Sequence, residues 1–203
     1  MRTKMLVFIS PWLIKRFNGA SRIFSVDDMR RFVITPDDIC DVFLLPRNNK
    51  DVVFYKKGET LDEVIEFKNK VGIDGSSTVG FLKQKLMKDY KEGGDDFKRL
   101  FVLYSLSTLL TPSANRTVDV SCFKSLIDVD GIRHFDWCSL VLDRLCRSVD
   151  KFNKKSKTHI SGCLLALQII YFHRIKWQGK SEPSELPLVQ HWTTEKIRKR
   201  AKD

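Results

Sequence analysis

Apolar residues in this chain recur mainly at the three- and four-residue spacing of α-helices, and one stretch is apolar on nearly every side. In the stretch 160–177, only one serine and one glutamine interrupt the apolar run before residue 172. A helix that is apolar all round is buried, and this run is shorter than the roughly 20 apolar residues that cross a bilayer. We therefore predict a central buried helix in a soluble domain, with the segments 97–110 and 137–149 packed against it.

Strong local signals mark a second helix that begins near residue 35. Thr35 is a favourable N-cap and Pro36 suits the first helical position. The two acidic residues that follow complement the positive end of the helix dipole, and we predict that this helix ends before Pro46. The residues 22–33 predict an extended hairpin, and 52–55 predict a short strand.

Further helices follow from apolar periodicity and from capping residues. We predict them over residues 60–71 with Thr60 as the cap, 79–90, a largely buried 95–110, 120–129, 135–152 and 195–202. The predicted fold is mainly α, a single orthogonal helical domain of about eight helices with one or two short β pieces. Its parts are a basic N-terminal segment over 1–22, the helical body over 23–177, and a linker with a basic helix over 178–203.

The N-terminal segment is basic and apolar, and no acidic residue precedes Asp27. Such a composition is typical of a mitochondrial transit peptide, but it also fits the first core helix of the domain. Both interpretations stay open. The candidate targeting residues are Arg2, Lys4, Lys15, Arg16 and Arg22.

The formal net charge of +11 over 203 residues predicts an anionic partner. A merely solubilising surface charge is the alternative. Two basic clusters lie beyond the N-terminal segment. The candidate partner-binding residues are Lys151, Lys154, Lys155, Lys157, Lys196, Arg198, Lys199 and Arg200. Binding to nucleic acid is predicted on charge alone.

Motifs that would carry chemistry are weak in this sequence. The five cysteines are odd in number and show no CxxC spacing, which favours free thiols in a reducing compartment. His134 precedes Cys138 by four residues, and His159 precedes Cys163 by four, yet neither pair has the further ligands of a zinc site nearby. We predict no catalytic residues, no cofactor and no metal.

Several strings in one order resemble the plant mobile domain, a transposon-derived family formerly described as aminotransferase-like, and the related domain that precedes Ulp1-type cysteine proteases in grasses. They are FVITPDDICDVFLLPRNN at 32–49, the run 101–145, SGCLLALQIIYFHRI at 161–175 and LPLVQHWTTEKIRKR at 186–200. The resemblance implies a helical domain of plant origin without established catalytic residues. Compared with that family, the chain looks truncated before residue 12, and no protease domain follows residue 203.

The resemblance and the basic charge together predict a function in binding. We expect a non-enzymatic, transposon-derived interaction or regulatory protein that acts on a protein partner in the nucleus or cytoplasm. One alternative is a mitochondrially targeted, selfish or toxic plant protein that perturbs a mitochondrial partner. The other is a basic nucleic-acid-binding module.

Overall fold

The computed structural model shows a mainly helical chain with one small antiparallel sheet, as the sequence predicts. The structure describes residues 5, 7–54, 62–74, 76–156, 158–176 and 185–202. Contacts group the chain into two compact units, Met1–Arg47 with Cys138–Asp203, and Asn48–Trp137. The first unit is therefore built from both ends of the chain and the second from its middle. The division predicted after residues 22 and 177 stays a prediction.

Helices make up most of the regular structure in the described residues. The α-helices are α1 Ser10–Arg16, α2 Pro36–Phe43, α3 Asp62–Val71, α4 Val79–Lys88, α5 Asp95–Ser105, α6 Trp137–Asn153, α7 Leu164–Arg174, α8 Leu188–His191 and α9 Thr194–Arg200. Short 3-10 helices cover Val7–Ile9, Ser121–Leu126 and Asp130–His134, and a π-helix covers Leu106–Leu110. The strands are β1 Phe17–Asn18, β2 Ile23–Ser25 and β3 Arg31–Val33. None of the described helices is long and apolar enough to cross a membrane.

The sheet belongs to the first unit and contains the predicted hairpin. Its order is β1-β2-β3, with antiparallel pairing and with Phe24 opposite both Phe17 and Phe32. The turn is held by Asp27, whose Oδ1 accepts hydrogen bonds from the backbone N–H groups of Met29 and Arg30. Phe24 is fully buried and stacks on Phe32 at 5.3 Å, so the sheet packs its aromatic face inward.

The start and end of α2 are as predicted. Thr35 is the N-cap, Pro36 lies in the first turn, and the Thr35 N–H donates to Oδ2 of Asp38 at 2.7 Å in a capping box. The helix ends at Phe43, and Leu44 adopts a left-handed conformation that breaks it before Pro46. Local sequence is sufficient to place this helix.

The central helix α7 is buried, but it is shorter at its start than predicted. Gly162 has φ +110, a conformation that ends any helix over 160–163. A Cβ at Gly162 would lie 2.9 Å from the Cα of Leu145, so the glycine lets this loop approach α6 closely. Within the first unit α7 contacts α1, α2 and α9. The predicted packing of α7 against 97–110, a segment of the second unit, stays a prediction.

One prediction about the second unit is wrong, and another is confirmed for the secondary structure but not for the burial of every apolar side chain. The residues 52–54 form no strand, because Ser125 satisfies the backbone there: its Oγ accepts from Val53 N–H at 2.7 Å and donates to Val53 O at 3.2 Å. The segment 95–110 is helical throughout, as predicted, but Phe101 on α5 is 52% exposed. The predicted cap Thr60 lies outside the described residues.

Candidate functional site

Two basic clusters that are far apart in the sequence meet at one groove in the first unit. The groove has a volume of about 620 Å³ and lies between the end of α1, the strand β1 and the end of α6. We call it the basic groove; it is lined by Lys15, Arg16, Phe17, Asn18, Ala20, Ser25, Asp150, Asn153 and Lys154. Lys15 and Lys154 come from different predicted clusters, and the sequence does not pair them.

The first wall of the basic groove is positioned by the core side of α1. Leu13 is fully buried and Ile14 nearly so, which turns Lys15 and Arg16 toward solvent. Arg16 is held in place, since its Nη1 donates to the backbone oxygen of Val26 at 3.1 Å. The N-terminal segment 1–22 thus contributes core residues to the first unit. This is the segment that the sequence allows to be either a transit peptide or a first core helix.

The second wall is formed by the last turn of α6 and the residues after it. Lys151, Lys154 and Lys155 are exposed there, and Lys155 has φ +55 as the chain leaves the helix. Cations at a helix C-terminus are stabilising because they face the negative end of the helix dipole. Part of this charge therefore supports α6 itself. Lys157 lies outside the described residues.

A carboxylate joins the two walls. Oδ1 of Asp150 on α6 accepts a hydrogen bond from the backbone N–H of Ala20 at 3.1 Å. Gly19 beside it has no room for a side chain, since a Cβ would lie 2.2 Å from the backbone oxygen of Cys146. The sequence does not predict Asp150, Asn18 and Asn153 as site residues, because nothing in their local sequence shows that α6 and the loop after β1 are neighbours.

The electrostatic balance of the basic groove favours anions. Its lining carries the cations Lys15, Arg16 and Lys154 against the single carboxylate of Asp150, which is engaged by Ala20 N–H. The lysine and arginine side chains are long and lie at a partly open surface, so they can reach an acidic group of a ligand. The desolvation cost of such a contact is smaller than that of a buried ion pair. The arrangement suits reversible recognition of a negatively charged ligand.

The other predicted basic residues are placed elsewhere. Arg22 pairs with Asp143 at 2.8 Å. On α9, Lys196 lies over the ring of Trp192 at 5.1 Å and Arg200 donates to the backbone oxygen of Ile175 at 2.7 Å, so both hold α9 to its neighbours. Arg198 and Lys199 are exposed. Arg2 and Lys4 lie outside the described residues.

The thiols of Cys146 and Cys163 are buried in the first unit. Burial raises the pKa of Cys146 to about 11 and that of Cys163 to about 12, which keeps both thiols protonated near neutral pH. His159 is exposed whereas Cys163 is buried. No group of three or more potential metal ligands occurs within the described part of the chain.

Fold and groove together define a mainly helical, basic protein with a cation-lined groove. The model of a family described as a domain of unknown function, DUF8566, matches residues 3–168, and the chain belongs to this family. No curated protein and no solved structure matches the chain. The matched range contains every residue that lines the basic groove, from Lys15 to Lys154.

Proposed function

We propose that this protein is a non-enzymatic interaction module that binds an acidic segment of a protein partner through the basic groove. The observation that supports this most directly is the convergence of Lys15 and Arg16 on α1 with Lys154 after α6. These residues are brought together by the fold and not by local sequence. A groove that gathers cations from distant segments offers complementary charge to several carboxylates at once.

The energetics fit a transient complex. Each exposed ion pair contributes about 0.2–1 kcal/mol, so three or four such pairs give modest affinity that falls with ionic strength. At physiological salt the Debye length is about 8 Å, and only charges within or beside the groove contribute strongly. We therefore expect weak, salt-sensitive binding with fast association.

The residues that line the basic groove favour a peptide over a nucleic acid as its ligand. Proteins that hold single strands combine a basic track with aromatic rings on which bases stack. The aromatic residue in this lining is Phe17, which is 1% exposed and contributes to the core. Asp150 would also face a phosphate backbone, whereas a peptide can donate hydrogen bonds to it.

The resemblance to the plant mobile domain supports an origin of this protein from a mobile element. We infer that the DUF8566 family derives from mobile-element proteins of plants and acts in the nucleus or cytoplasm through binding. The core position of Leu13 and Phe17 supports a role in the folded domain for the N-terminal segment, because its cleavage would remove both from the core. Mitochondrial targeting is tested by fusing residues 1–22 alone to a fluorescent protein; import of that fusion would favour the mitochondrial alternative.

The binding proposal is tested with a short, fluorescently labelled glutamate-rich peptide, titrated with the whole chain at low and at physiological salt. The variant Lys15→Glu/Lys154→Glu should weaken binding about tenfold or more, which corresponds to about 1.4 kcal/mol. The matched control is Lys83→Glu/Lys91→Glu, which makes the same change in net charge at exposed positions of the second unit. It should leave binding within about twofold.

Two results would overturn this proposal. One is equal weakening by the groove variant and by the control, which would mean that net charge alone attracts the peptide. The other is tighter binding of duplex or single-stranded DNA than of the peptide, with a steep dependence on salt, which would assign the basic surfaces to nucleic acid.

A further inference from the structure

A second groove in the first unit lies beside the first and has a different chemistry. It has a volume of about 260 Å³ and is formed by α1, α7 and the end of α9. We call it the aromatic groove; its accessible lining includes Ile9, Trp12, Tyr171, Ile175, Arg200 and Ala201. Trp12 is 37% exposed, so a bulky apolar ring is left open to solvent on the same helix that carries Lys15 and Arg16.

The walls of the aromatic groove are fixed by ring packing. Trp12 meets Tyr171 edge to face with 5.2 Å between ring centroids, and Phe24 supports both rings from the sheet at 6.1 and 5.4 Å. Arg16 lies over the ring of Trp12 at 5.6 Å. A groove whose side chains are already held by neighbours needs little ordering when a ligand enters, which preserves affinity.

Two arginine side chains lie at the aromatic groove: Arg200 lines it, and the guanidinium of Arg16 lies over the ring of Trp12. Burial raises the pKa of the Tyr171 hydroxyl, and the charges that oppose this rise are those of Arg200, Arg30 and Arg16. An apolar depression with two arginines beside it complements a ligand that combines an apolar group with negative charge.

The two grooves are adjacent along α1. Trp12 lines the aromatic groove, while Lys15 and Arg16, three and four residues further on, line the basic groove. One helical turn rises about 5.4 Å, so the two sets of side chains are about one turn apart along the helix axis. A single short peptide can reach both.

We propose that the aromatic groove receives one aromatic or long aliphatic side chain of the acidic segment that the basic groove binds. The inference rests on the proposed function and specifies the ligand further. An extended peptide rises about 3.3 Å per residue, so the apolar side chain should lie about two to four residues from the carboxylates. The volume of about 260 Å³ falls below the range of drug-sized ligand pockets, as expected for a site that holds one side chain.

The geometry favours a peptide side chain over a nucleobase. Bases stack on open ring faces, but Arg16 already covers a face of Trp12, and Trp12 and Tyr171 are edge to face rather than parallel. A leucine or phenylalanine side chain needs no such platform and gains affinity simply from the apolar area that it buries.

The test compares two glutamate-rich peptides of equal charge, one with a single phenylalanine three residues from the glutamates and one with alanine in its place. The native chain should bind the phenylalanine peptide about tenfold more tightly, because burying a phenylalanine is worth at least one order of magnitude in affinity. This gain should be lost in Trp12→Ala. Because Trp12 also packs on Phe24, a second variant, Ala201→Trp, fills the groove without removing a contact of the rings.

The controls separate this inference from the proposed function. Met87→Ala, at an exposed apolar residue of the second unit, should keep the full gain. If neither peptide binds the native chain, the proposed function fails together with this inference. If both bind equally, or if Ala201→Trp keeps the gain, the aromatic groove is not the anchor site while the acidic-segment proposal stands. Tighter binding of oligothymidylate than of the phenylalanine peptide would assign the rings to nucleic acid and overturn the inference.

Discussion

Arg174 at the end of α7 donates hydrogen bonds through Nε and Nη2 to Oδ1 of Asp38 in the first turn of α2. The Nε bond measures 3.0 Å, and the other oxygen of Asp38 accepts the backbone N–H of Thr35 at 2.7 Å. One carboxylate thus closes the capping box of α2 and fixes α2 to the central helix. The sequence predicts that Asp38 lies in the first turn of α2. Its ion pair with Arg174 on α7 is seen only in the fold.

Replacement of this carboxylate should destabilise the first unit. Asp38→Ala removes the cap and leaves the Arg174 guanidinium without this acceptor, so we expect a loss of about 2–4 kcal/mol in the free energy of unfolding. Asp41→Ala, at an exposed acid of the same helix, is the matched control and should cost less than about 0.5 kcal/mol. Urea denaturation followed by circular dichroism measures both. Equal costs would show that the ion pair contributes no specific stability.

A second shared carboxylate organises the middle of the chain. Asp96 on α5 pairs with Lys70 on α3 at 2.5 Å and with Arg99 at 2.8 Å. The Arg99 guanidinium also donates to the backbone oxygens of Leu126 and Ile127 at 3.1 and 2.8 Å. Partial burial raises the pKa of Asp96, but the hydrogen bonds and charges of Lys70 and Arg99 outweigh it, and the pKa lies below its ordinary value of 3.8.

This pairing should make the second unit sensitive to acid. Because the pKa is lowered on folding, the stabilisation is present above about pH 3.8 and is lost as the pH falls through the folded-state value. Asp96→Asn should therefore lower the free energy of unfolding by about 1–2 kcal/mol at neutral pH, after allowance for solvent screening, and flatten its dependence on pH below about 4. Asp95→Asn, its exposed neighbour in the same turn, is the control. An unchanged acid profile in Asp96→Asn would contradict the assignment.

Features that depend on neighbouring residues in the chain could be predicted from the sequence. Thr35 and Pro36 place the start of α2, and the basic helix predicted from residue 195 begins one residue earlier, at Thr194. These caps act within one turn, so local residue types are enough. The mainly helical class follows for the same reason, since apolar periodicity sets each helix separately.

Features that depend on long-range contacts could not be predicted. The residues 52–54 favour a strand because they are β-branched and aromatic. The backbone N–H and C=O of Val53 are bonded by the side chain of Ser125, which lies far along the chain, and not by a neighbouring strand. The basic groove is the same case: Lys15 and Lys154 meet only because α1 and α6 are neighbours in the fold. Charge clusters are visible in a sequence, whereas their convergence is a property of tertiary structure.

The glycine before α7 should be irreplaceable for two separable reasons. Gly162 has φ +110, and a Cβ would also lie 2.9 Å from Cα and 3.1 Å from N of Leu145. We expect Gly162→Ala to cost about 2–4 kcal/mol, since overpacking against backbone adds to the conformational strain. Gly93 is the matched control because it has φ +90, and a Cβ added there would meet no atom within 4 Å. Gly93→Ala should cost only the strain, about 1 kcal/mol; equal costs for both would remove the packing argument.

The buried thiol of Cys163 should make the folded state sensitive to alkali. Desolvation raises its pKa from an ordinary 9.0 to about 12, so the folded state holds its proton where the unfolded state has lost it. Stability from this thiol is therefore complete below about pH 9 and falls above it, by up to roughly 1.4 kcal/mol per pH unit. Cys163→Ala removes the titrating group while keeping a small core residue. Urea midpoints measured from about pH 8 to about pH 10.5 should then fall less steeply in Cys163→Ala than in the native chain. Some slope should remain, because Cys146, the tyrosines and the lysines titrate in both proteins. Parallel slopes would show that the Cys163 thiol is not desolvated. They would also show that the loop 160–163 does not exclude water from this part of the core.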